Sequence, residues 1–459
     1  MKTTNKIITL LLFCILFSQV VFADGMIHIY DKDMWSLYPE EQQLVAINYE
    51  NGYENMLISI NINEDIYGEK AVWVFPVPAE PEKVVIDIYK GFPRLYGKDV
   101  DSEFKDTIRT VGWSLAGYST FPIGLYFVLF GRVAYWRGSS AIAQELKLDD
   151  GITIHETVEK MGITSELITT KNRAALDSYL LSKGLEFPSD SMYIIEEYVG
   201  EEYSFVISYI SNLAEFKQQT QINYGTRYGS VTEFPLGVFV KFPCEKIYFP
   251  LKPTSVYGSQ RIPILMYVVG HVTPILYKEI KQDADVVYYM QQSYYPDNNL
   301  KDFFNNKDRI ENFKYTKIKL NPPSKYLVED LWIKRSAPLT ISTKNFLIKT
   351  AWYWGILLYV LLSVAASLLS GFLSFMDQPL SRKKLVLFGL WNCLTFAGFG
   401  IASLFLKSKK LDPSIKEELK QKGIDVTVRD PRKILYVFLF YVFFLVFLLF
   451  TFLLLYFVI

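Results

Sequence analysis

The chain has 459 residues, with 48 Lys and Arg against 48 Asp and Glu, a formal charge of zero. That balance does not suit nucleic acid, whose binding rests on clustered Lys and Arg, so no nucleic-acid partner is expected. Three cysteines in a chain of this size give no disulfide framework, so a large core has to hold the fold.

Lys2 and Lys6 precede an apolar run from Ile7 to Phe17, and Val21-Phe22-Ala23 follows. A basic start, a short apolar middle and small or apolar residues before a cut are the parts of a secretory signal. Residues 1–23 are therefore expected to be a signal peptide, with a retained N-terminal anchor as the alternative. Either one puts Asp24 onward outside the cytoplasm. Cys14 leaves with the signal and Cys393 lies in a later apolar run, which leaves Cys244 alone in the outer part. A lone exported cysteine is expected to be buried. No Asn-x-Ser/Thr sequon occurs, so N-glycosylation is not expected.

Residues 24–345 are expected to form one extracytoplasmic β-rich α+β body. Met26–Tyr30, Gln43–Tyr49, Asn55–Asn63, Ala71–Val77 and Lys83–Tyr89 have strand character. In the third, Met56, Ile58, Ile60 and Ile62 fall on one face and Asn55, Ser59, Asn61 and Asn63 on the other, with Leu57 the exception. Period two is the mark of a half-buried strand. Asn51-Gly52 favours the positive φ angles of a tight turn and predicts a hairpin. The prolines in Ala71–Pro78 suit a strand end or a sheet edge. Val111–Gly131 has no charged residue, yet it holds Gly112, Gly117, Gly124, Gly131 and Pro122. It is expected to be an apolar loop or hairpin inserted in the body, with a membrane span as the alternative.

Gly151–Val158 resumes as a strand. Lys171–Lys183 predicts a helix, with Ala175, Leu176, Tyr179 and Leu180 on one face, Asn172 at its start and Gly184 at its end. Tyr193–Tyr198 is ambiguous. Tyr203–Tyr209, Leu236–Phe242, Lys246–Leu251, Ile264–Val269 and Val286–Met290 are strand candidates. Asn212–Ser230 is polar and predicts a loop, and Pro296–Asn312 a surface helix or loop. Tyr326–Arg335 leads to the C-terminal block.

That block holds three uncharged runs, Thr350–Phe375, Leu385–Leu406 and Ile434–Ile459. Each is as long as the ~20 residues a helix needs to cross a bilayer. They predict transmembrane helices at 350–375, 385–406 and 434–459, with a basic loop at 407–433. The expected location is the cell membrane, multi-pass, with the large N-terminal domain outside and the lipid bilayer as partner. Arg382, Lys383 and Lys384 then fall inside, as the positive-inside rule prefers, but the basic loop falls outside, against it. A spanning Val111–Gly131 or a re-entrant second run would put that loop inside.

Several stretches resemble a prokaryotic exported family, domain of unknown function 2330. They are Trp73-Val74-Phe75-Pro76-Val77-Pro78 with Pro81, Glu166-Leu167-Ile168 leading to Ala175–Leu180, and the proline-bounded Phe242–Ser255 before Ile264–Val269. The resemblance covers Met26 to His271 in patches and does not extend to Arg109–Leu148. It implies a signal, an exported domain and a membrane tail, and it implies no activity or site residue.

No constellation for chemistry stands out, and no catalytic, cofactor-binding or metal-ligating residue is assigned. His28, His155 and His271 are the only histidines, and His155-Glu156 lacks the second histidine of a zincin helix. Asn61-x-Asn63-x-Asp65 opens like a calcium loop, but its glycine and final glutamate are out of place. Gly112-Trp113-Ser114 lacks the second glycine of a nucleophile elbow, and Ser102 with Lys105 has only the spacing of a Ser-x-x-Lys pair. Asp149-Asp150 and Glu201-Glu202 suit solvated turns. Tyr224, Tyr228, Tyr288-Tyr289 and Tyr294-Tyr295 suit sheet packing, or a binding face if exposed. The expectation is a membrane-anchored surface binding or structural module, with a membrane or surface protein as partner. The alternatives are an accessory subunit of a membrane complex and, behind both, a surface hydrolase using Ser114 or Ser102.

Overall fold

The computed structural model describes residues 27–31, 34–38, 43–60, 70–120, 154–183, 189–199, 202–220, 236–376, 381–394, 413–423 and 431–458. The expected signal peptide, the calcium-like segment Asn61–Asp65, Asp149-Asp150, Glu201, Tyr224 and Tyr228 lie outside them. The described chain is a β-rich α+β fold with a helix-rich C-terminal region. It falls into two compact units. The β-rich unit holds the chain as far as Asp99 and again up to Ile341; the helix-rich unit takes the segment from Val100 and the chain from Ser342 on.

The first part of the β-rich unit contains β1 (Ile27–Asp31), β2 (Met34–Tyr38), β3 (Gln43–Glu50), β4 (Tyr53–Ile60), β5 (Lys70–Val77), β6 (Val85–Lys90) and β7 (Lys98–Asp99). Helix α1 (Val100–Thr120) belongs to the other unit. The chain returns as β8 (Ile154–Lys160), β9 (Ile163–Ile168), α2 (Arg173–Ser182), α3 (Ser189–Glu196), β10 (Ser204–Ile210), α4 (Leu213–Thr220), β11 (Leu236–Pro243) and β12 (Ile247–Phe249). Then come β13 (Ile264–Val269), β14 (Thr273–Pro274), α5 (Lys278–Lys281), β15 (Ala284–Tyr294), β16 (Ile310–Leu320) and β17 (Leu331–Lys334).

These strands make a six-stranded sheet in the order β2-β1-β5-β10-β9-β8, an eight-stranded sheet β6-β11-β4-β3-β13-β16-β15-β7, and a small β12-β17-β14 sheet. The main core lies between the two large sheets. Val45, Ile47, Met56, Ile58, Val238 and Met266 from one meet Trp73, Phe75, Leu167 and Val206 from the other. Leu176, Leu180 and Ile195 of α2 and α3 cover the far face of the six-stranded sheet, over Val72, Val74, Phe205 and Ile207.

The hairpin at Asn51-Gly52 is present, with φ of 55° and 84° joining β3 to β4. Alternation along β4 is also present, but the strand is buried on both faces. Asn55, Leu57 and Ser59 are inaccessible too. The reason is the polar stretch Pro296–Asn312, expected as a surface helix or loop, which carries Leu300, Phe303 and Phe304, lays them over this face with Phe239 and Tyr315, and from Ile310 on is already strand β16. Asn55 Nδ2 and Asn48 Nδ2 donate to the Phe303 carbonyl at 3.0 and 2.7 Å, which gives these two amide donors a partner inside the protein in place of water. Leu57, the exception in the pattern, is the residue those phenylalanines cover. Pro76 sits opposite Phe205 of β10, while β1 pairs with β5 only as far as Trp73. Among the described residues Pro76 therefore has a strand partner on one side only, where a missing donor is tolerated.

Helix α2 begins as the sequence predicts: Asn172 Oδ1 accepts from Ala175 N at 2.9 Å. Asn172→Ala is expected to lower stability by ~1 kcal/mol, the usual cost of losing such a cap, read as a downward shift of the unfolding midpoint. The ambiguous Tyr193–Tyr198 is helical as far as Glu196, at the end of α3. One stretch differs from expectation: Asn212–Ser230, expected as a loop, starts with α4, where Asn212 Oδ1 accepts from Glu215 N at 3.1 Å. Gly162, at φ 77°, lets its carbonyl take the Ser211 and Asn212 amides, and a Cβ there would collide with the start of α4.

The helix-rich unit contains α1, α6 (Leu339–Lys349) from Ser342 on, α7 (Ala351–Ser374), α8 (Arg382–Leu394), α9 (Pro413–Gln421) and α10 (Pro431–Val458). One described helix, α7, is long and apolar enough to cross a membrane, and α10 holds a shorter apolar segment, Leu435–Thr451. Only Leu385–Leu394 of the second expected span is described, within α8. Val111–Gly131, expected as a loop or hairpin on the body, is helical as far as Thr120 and groups with these helices. Val111 packs with Ala351 and Tyr359 of α7 and Phe440 and Phe444 of α10, and Lys344 pairs with Asp101 at 2.8 Å. The cost of Gly112 and Gly117 inside this helix is outweighed by packing, which propensity alone does not register.

Candidate functional site

The most concentrated polar chemistry in the β-rich unit is a buried chain of groups that no sequence motif marks. Glu54, the second residue of β4, points into the core on the same side as Met56 and Ile58 and is fully buried. Its Oε2 accepts from the Tyr248 amide at 2.8 Å and from the Cys244 thiol at 3.5 Å. Its Oε1 is buried without a hydrogen-bond partner. Burial pushes this carboxyl up to about 8, against the pull of those two donors. Near neutral pH Glu54 is therefore largely a neutral acid.

Tyr248 carries the chain onward. It is the largest fully buried side chain among the described residues, and its hydroxyl donates to Asp330 at 2.9 Å. Asp330 sits just before β17 and also accepts from the Tyr198 hydroxyl at 2.9 Å and the Lys252 amide at 3.0 Å. Burial raises the Asp330 carboxyl above its ordinary range, opposed by the Lys252 amide and then by the two tyrosines. Lys252 Nζ reaches Glu197. Tyr203 lies edge-on to Tyr198, and Trp332 tilts over Tyr248 at 5.1 Å. The spine thus joins β4, the end of α3, β12 and β17. A second buried acid, Glu166 on β9, accepts from Lys183 Nζ at 2.8 Å and from the Tyr179 hydroxyl, tying α2 to its sheet.

This arrangement holds elements together rather than offering reacting groups. Burial, then the neighbouring Glu54, pushes the Cys244 thiol well up, so it stays protonated and is a poor nucleophile. The lone cysteine is half-buried, and its acidic neighbour has no signal in the sequence: Glu54 lies 190 positions away and becomes adjacent only because β4 pairs with β11.

The residues weighed from sequence are scattered. Ser102, Lys105 and Ser114 all lie on α1. His155 Nε2 hydrogen-bonds Thr169 Oγ1 at 3.2 Å, His271 Nε2 donates to the Tyr289 carbonyl at 2.9 Å, and His28 stands on β1. Among the described residues no three His, Cys, Asp or Glu side chains come together to hold a metal ion. Tyr288 and Tyr294 are buried and Tyr289 stacks on Tyr315 at 4.8 Å, so this tyrosine-rich strand packs a sheet. Tyr295 alone of the four is exposed, under Arg309.

No family model matches the chain, and no curated protein matches it. Solved structures with some likeness include baculovirus P35, at 9% identity over 65% of this chain and 96% of that one, with a TM-score of 0.24. A mutated baculovirus P35 after caspase cleavage matches at 11% identity over 65% and 100%, with a TM-score of 0.21. At these scores the likeness bears on neither fold nor function.

Proposed function

We propose that this chain is a membrane-anchored protein whose β-rich unit faces outside the cytoplasm as a surface binding or structural module. The observation that carries the proposal is the inverted polarity of the helix-rich unit. On α7 the buried positions are small or hydroxylated: Gly355, Ser363, Ser367, Ser370, Gly371 and Ser374. Leu357, Leu361 and Phe372 of the same helix are exposed at 57–65%. On α10, Phe438, Val446, Leu449 and Phe450 are exposed at 53–65%. In water, leaving a Leu or Phe side chain uncovered forgoes ~1.5–3 kcal/mol each, and a contiguous apolar surface calls for a cover. Lipid tails supply that cover, and inside lipid small residues let helices approach while hydroxyls bond across them. Ser363 Oγ donates to the Gly389 carbonyl at 2.8 Å and Ser367 Oγ to the Leu385 carbonyl at 2.7 Å.

The proposed orientation puts the start of α7 outside, with the exposed Tyr353 and neighbouring Trp352 at the interface. It is also the architecture implied by the resemblance to domain of unknown function 2330. The accessory-subunit reading draws on the packing of α1 against α7 and α10, which is more than an anchor needs.

Two tests address the proposal in cells. The chain is expected to stay with membranes through an alkaline carbonate wash. Single cysteines at exposed Glu82 and Glu279, which flank the α1 insertion, are expected to react with a membrane-impermeant thiol reagent in intact cells, in a background where serine replaces the native cysteines. Release by carbonate would remove the anchor, and protection of both cysteines would reverse the orientation.

A further inference from the structure

Helix α9 is the short, charged member of the helix-rich unit. It has nine residues, Pro413–Gln421. Proline opens it, where a missing amide donor costs little. Gly423 closes it at φ 72°, with its amide on the Lys420 carbonyl. An isolated helix in water needs about 12–15 residues to be even marginally stable, so caps alone do not account for one of this length. Short helices draw the remainder from whatever covers an apolar face.

The apolar face of α9 is the pair Ile415 and Leu419, four positions apart and so neighbours on one side of the helix. Ile415 is 47% exposed and Leu419 is half-buried. Neither belongs to the apolar clusters that the described residues of this unit form. By helical spacing Lys416 falls on one flank of the pair, and Glu418 and Lys422 on the other. Glu418 is neutralised there by Lys422, at 2.8 Å. Glu417 and Gln421 fall on the opposite face, and both are exposed. From Pro413 to Lys422 three lysines stand against two glutamates, and Arg432 and Lys433 follow at the start of α10. A narrow apolar strip with lysines at its margins suits a helix lying in a lipid interface. Lysine stems extend along such a strip while their ammonium groups reach the headgroups.

We infer that α9 lies flat in the bilayer surface, with Ile415 and Leu419 at the acyl boundary and its lysines among anionic headgroups. This rests on the anchored reading above. Tyr436 of α10 meets Phe375 at 6.2 Å, so the start of α10 is level with the end of α7. Two apolar helices that end together mark one surface of the bilayer. The chain from Gly423 to Pro431 reaches at most ~29 Å when fully extended, which keeps α9 close to that surface. Two apolar side chains and a small positive charge would bind lipid only weakly from solution. Tethered at the surface, the same contacts act at a high effective concentration and suffice. The anionic preference follows from the excess of lysine over glutamate.

The test reconstitutes the full chain, with serine replacing the native cysteines, in vesicles of phosphatidylcholine and phosphatidylglycerol. Spin labels are attached one at a time to Ile415→Cys, Leu419→Cys, Glu417→Cys and Gln421→Cys. They are relaxed by oxygen, which concentrates in lipid, or by chelated nickel, which stays in water. The oxygen-to-nickel ratio is expected to be severalfold higher at the first two positions than at the last two, and the contrast to shrink in vesicles of phosphatidylcholine alone. Equal ratios at all four positions, in a chain that floats with the vesicles, would overturn the inference and leave the anchor in place. Protection of the first two positions from both reagents would mean that protein covers the pair, and would overturn it as well. A contrast indifferent to phosphatidylglycerol would overturn the anionic preference. A chain that fails to float with the vesicles would instead overturn the anchored reading on which it rests.

Discussion

Replacing Asp330 by alanine is expected to destabilise the β-rich unit by roughly 3–6 kcal/mol. The carboxylate is the shared acceptor for the Tyr198 and Tyr248 hydroxyls and the Lys252 amide. Removing it leaves three donors at the edge of the core without an acceptor, at about 1–3 kcal/mol for each buried group left unpaired. Tyr248 is enclosed by Phe242, Tyr203 and Trp332 and has no route to water. The loss should be local first. Amide hydrogen exchange in Ile247–Phe249 and Leu331–Lys334, the paired strands that the spine joins, is expected to accelerate by several orders of magnitude while that in β3 and β4 changes less. Tyr248→Phe, which removes one donor and leaves Asp330 in place, should cost only about 1 kcal/mol. If both variants cost the same, Asp330 is not the hub.

The second large effect is a pH dependence centred on Glu54. Its carboxyl is raised from 4.5 to about 8 in the folded chain. Between those limits the folded state holds a proton that the unfolded state has released. Stability from this group is therefore fully present below about pH 4.5, declines as pH rises and is exhausted above about pH 8. At about 1.4 kcal/mol for each tenfold change in proton activity, the decline amounts to a few kcal/mol. Glu54→Gln keeps an oxygen for the Tyr248 amide and cannot ionise. It is expected to flatten the fall in melting temperature between about pH 5 and pH 8.5 and to melt above the parent at the alkaline end. Parallel curves for the two proteins would show that Glu54 does not carry the response.

Much of the β-rich unit could be predicted because its signals are local. The Asn51-Gly52 turn, the β11 and β13 strands and the capped helix at Asn172 each follow from a few neighbouring residues. The sequence did not show what covers what. β4 alternates as a half-buried strand should, and only the distant Phe303 and Phe304 make its second face dry. β16 was missed because its lysines, Lys314, Lys317 and Lys319, interrupt the apolar pattern; in the fold they alternate with the buried Phe313, Tyr315, Ile318 and Leu320. Helix α4 had a readable start in Asn212, hidden by the polar residues after it. The buried spine had no local signal at all. Glu54, Cys244, Tyr248 and Asp330 are ordinary residues in sequence, and only strand pairing gathers them. In the second unit, uncharged length located the apolar runs but not their direction, which depends on which residues of α7 meet Leu385 and Tyr436.

The parallel pairing of β3 with β13 joins Gln43 to Ile264, about 220 residues apart. A chain delivered N-terminus first presents β3 and β4 long before that partner arrives. Until then the centre of the eight-stranded sheet has an open edge lined by Leu44, Ala46 and Ile47, and an edge of that kind recruits other chains. Closure over so long a separation is slow, and the waiting intermediate is exposed to aggregation. Any truncation short of Val269 should therefore yield no stable fragment. The whole β-rich unit must be present before any part of its main sheet is safe, which makes supply of this protein sensitive to whatever holds unfolded chains during synthesis.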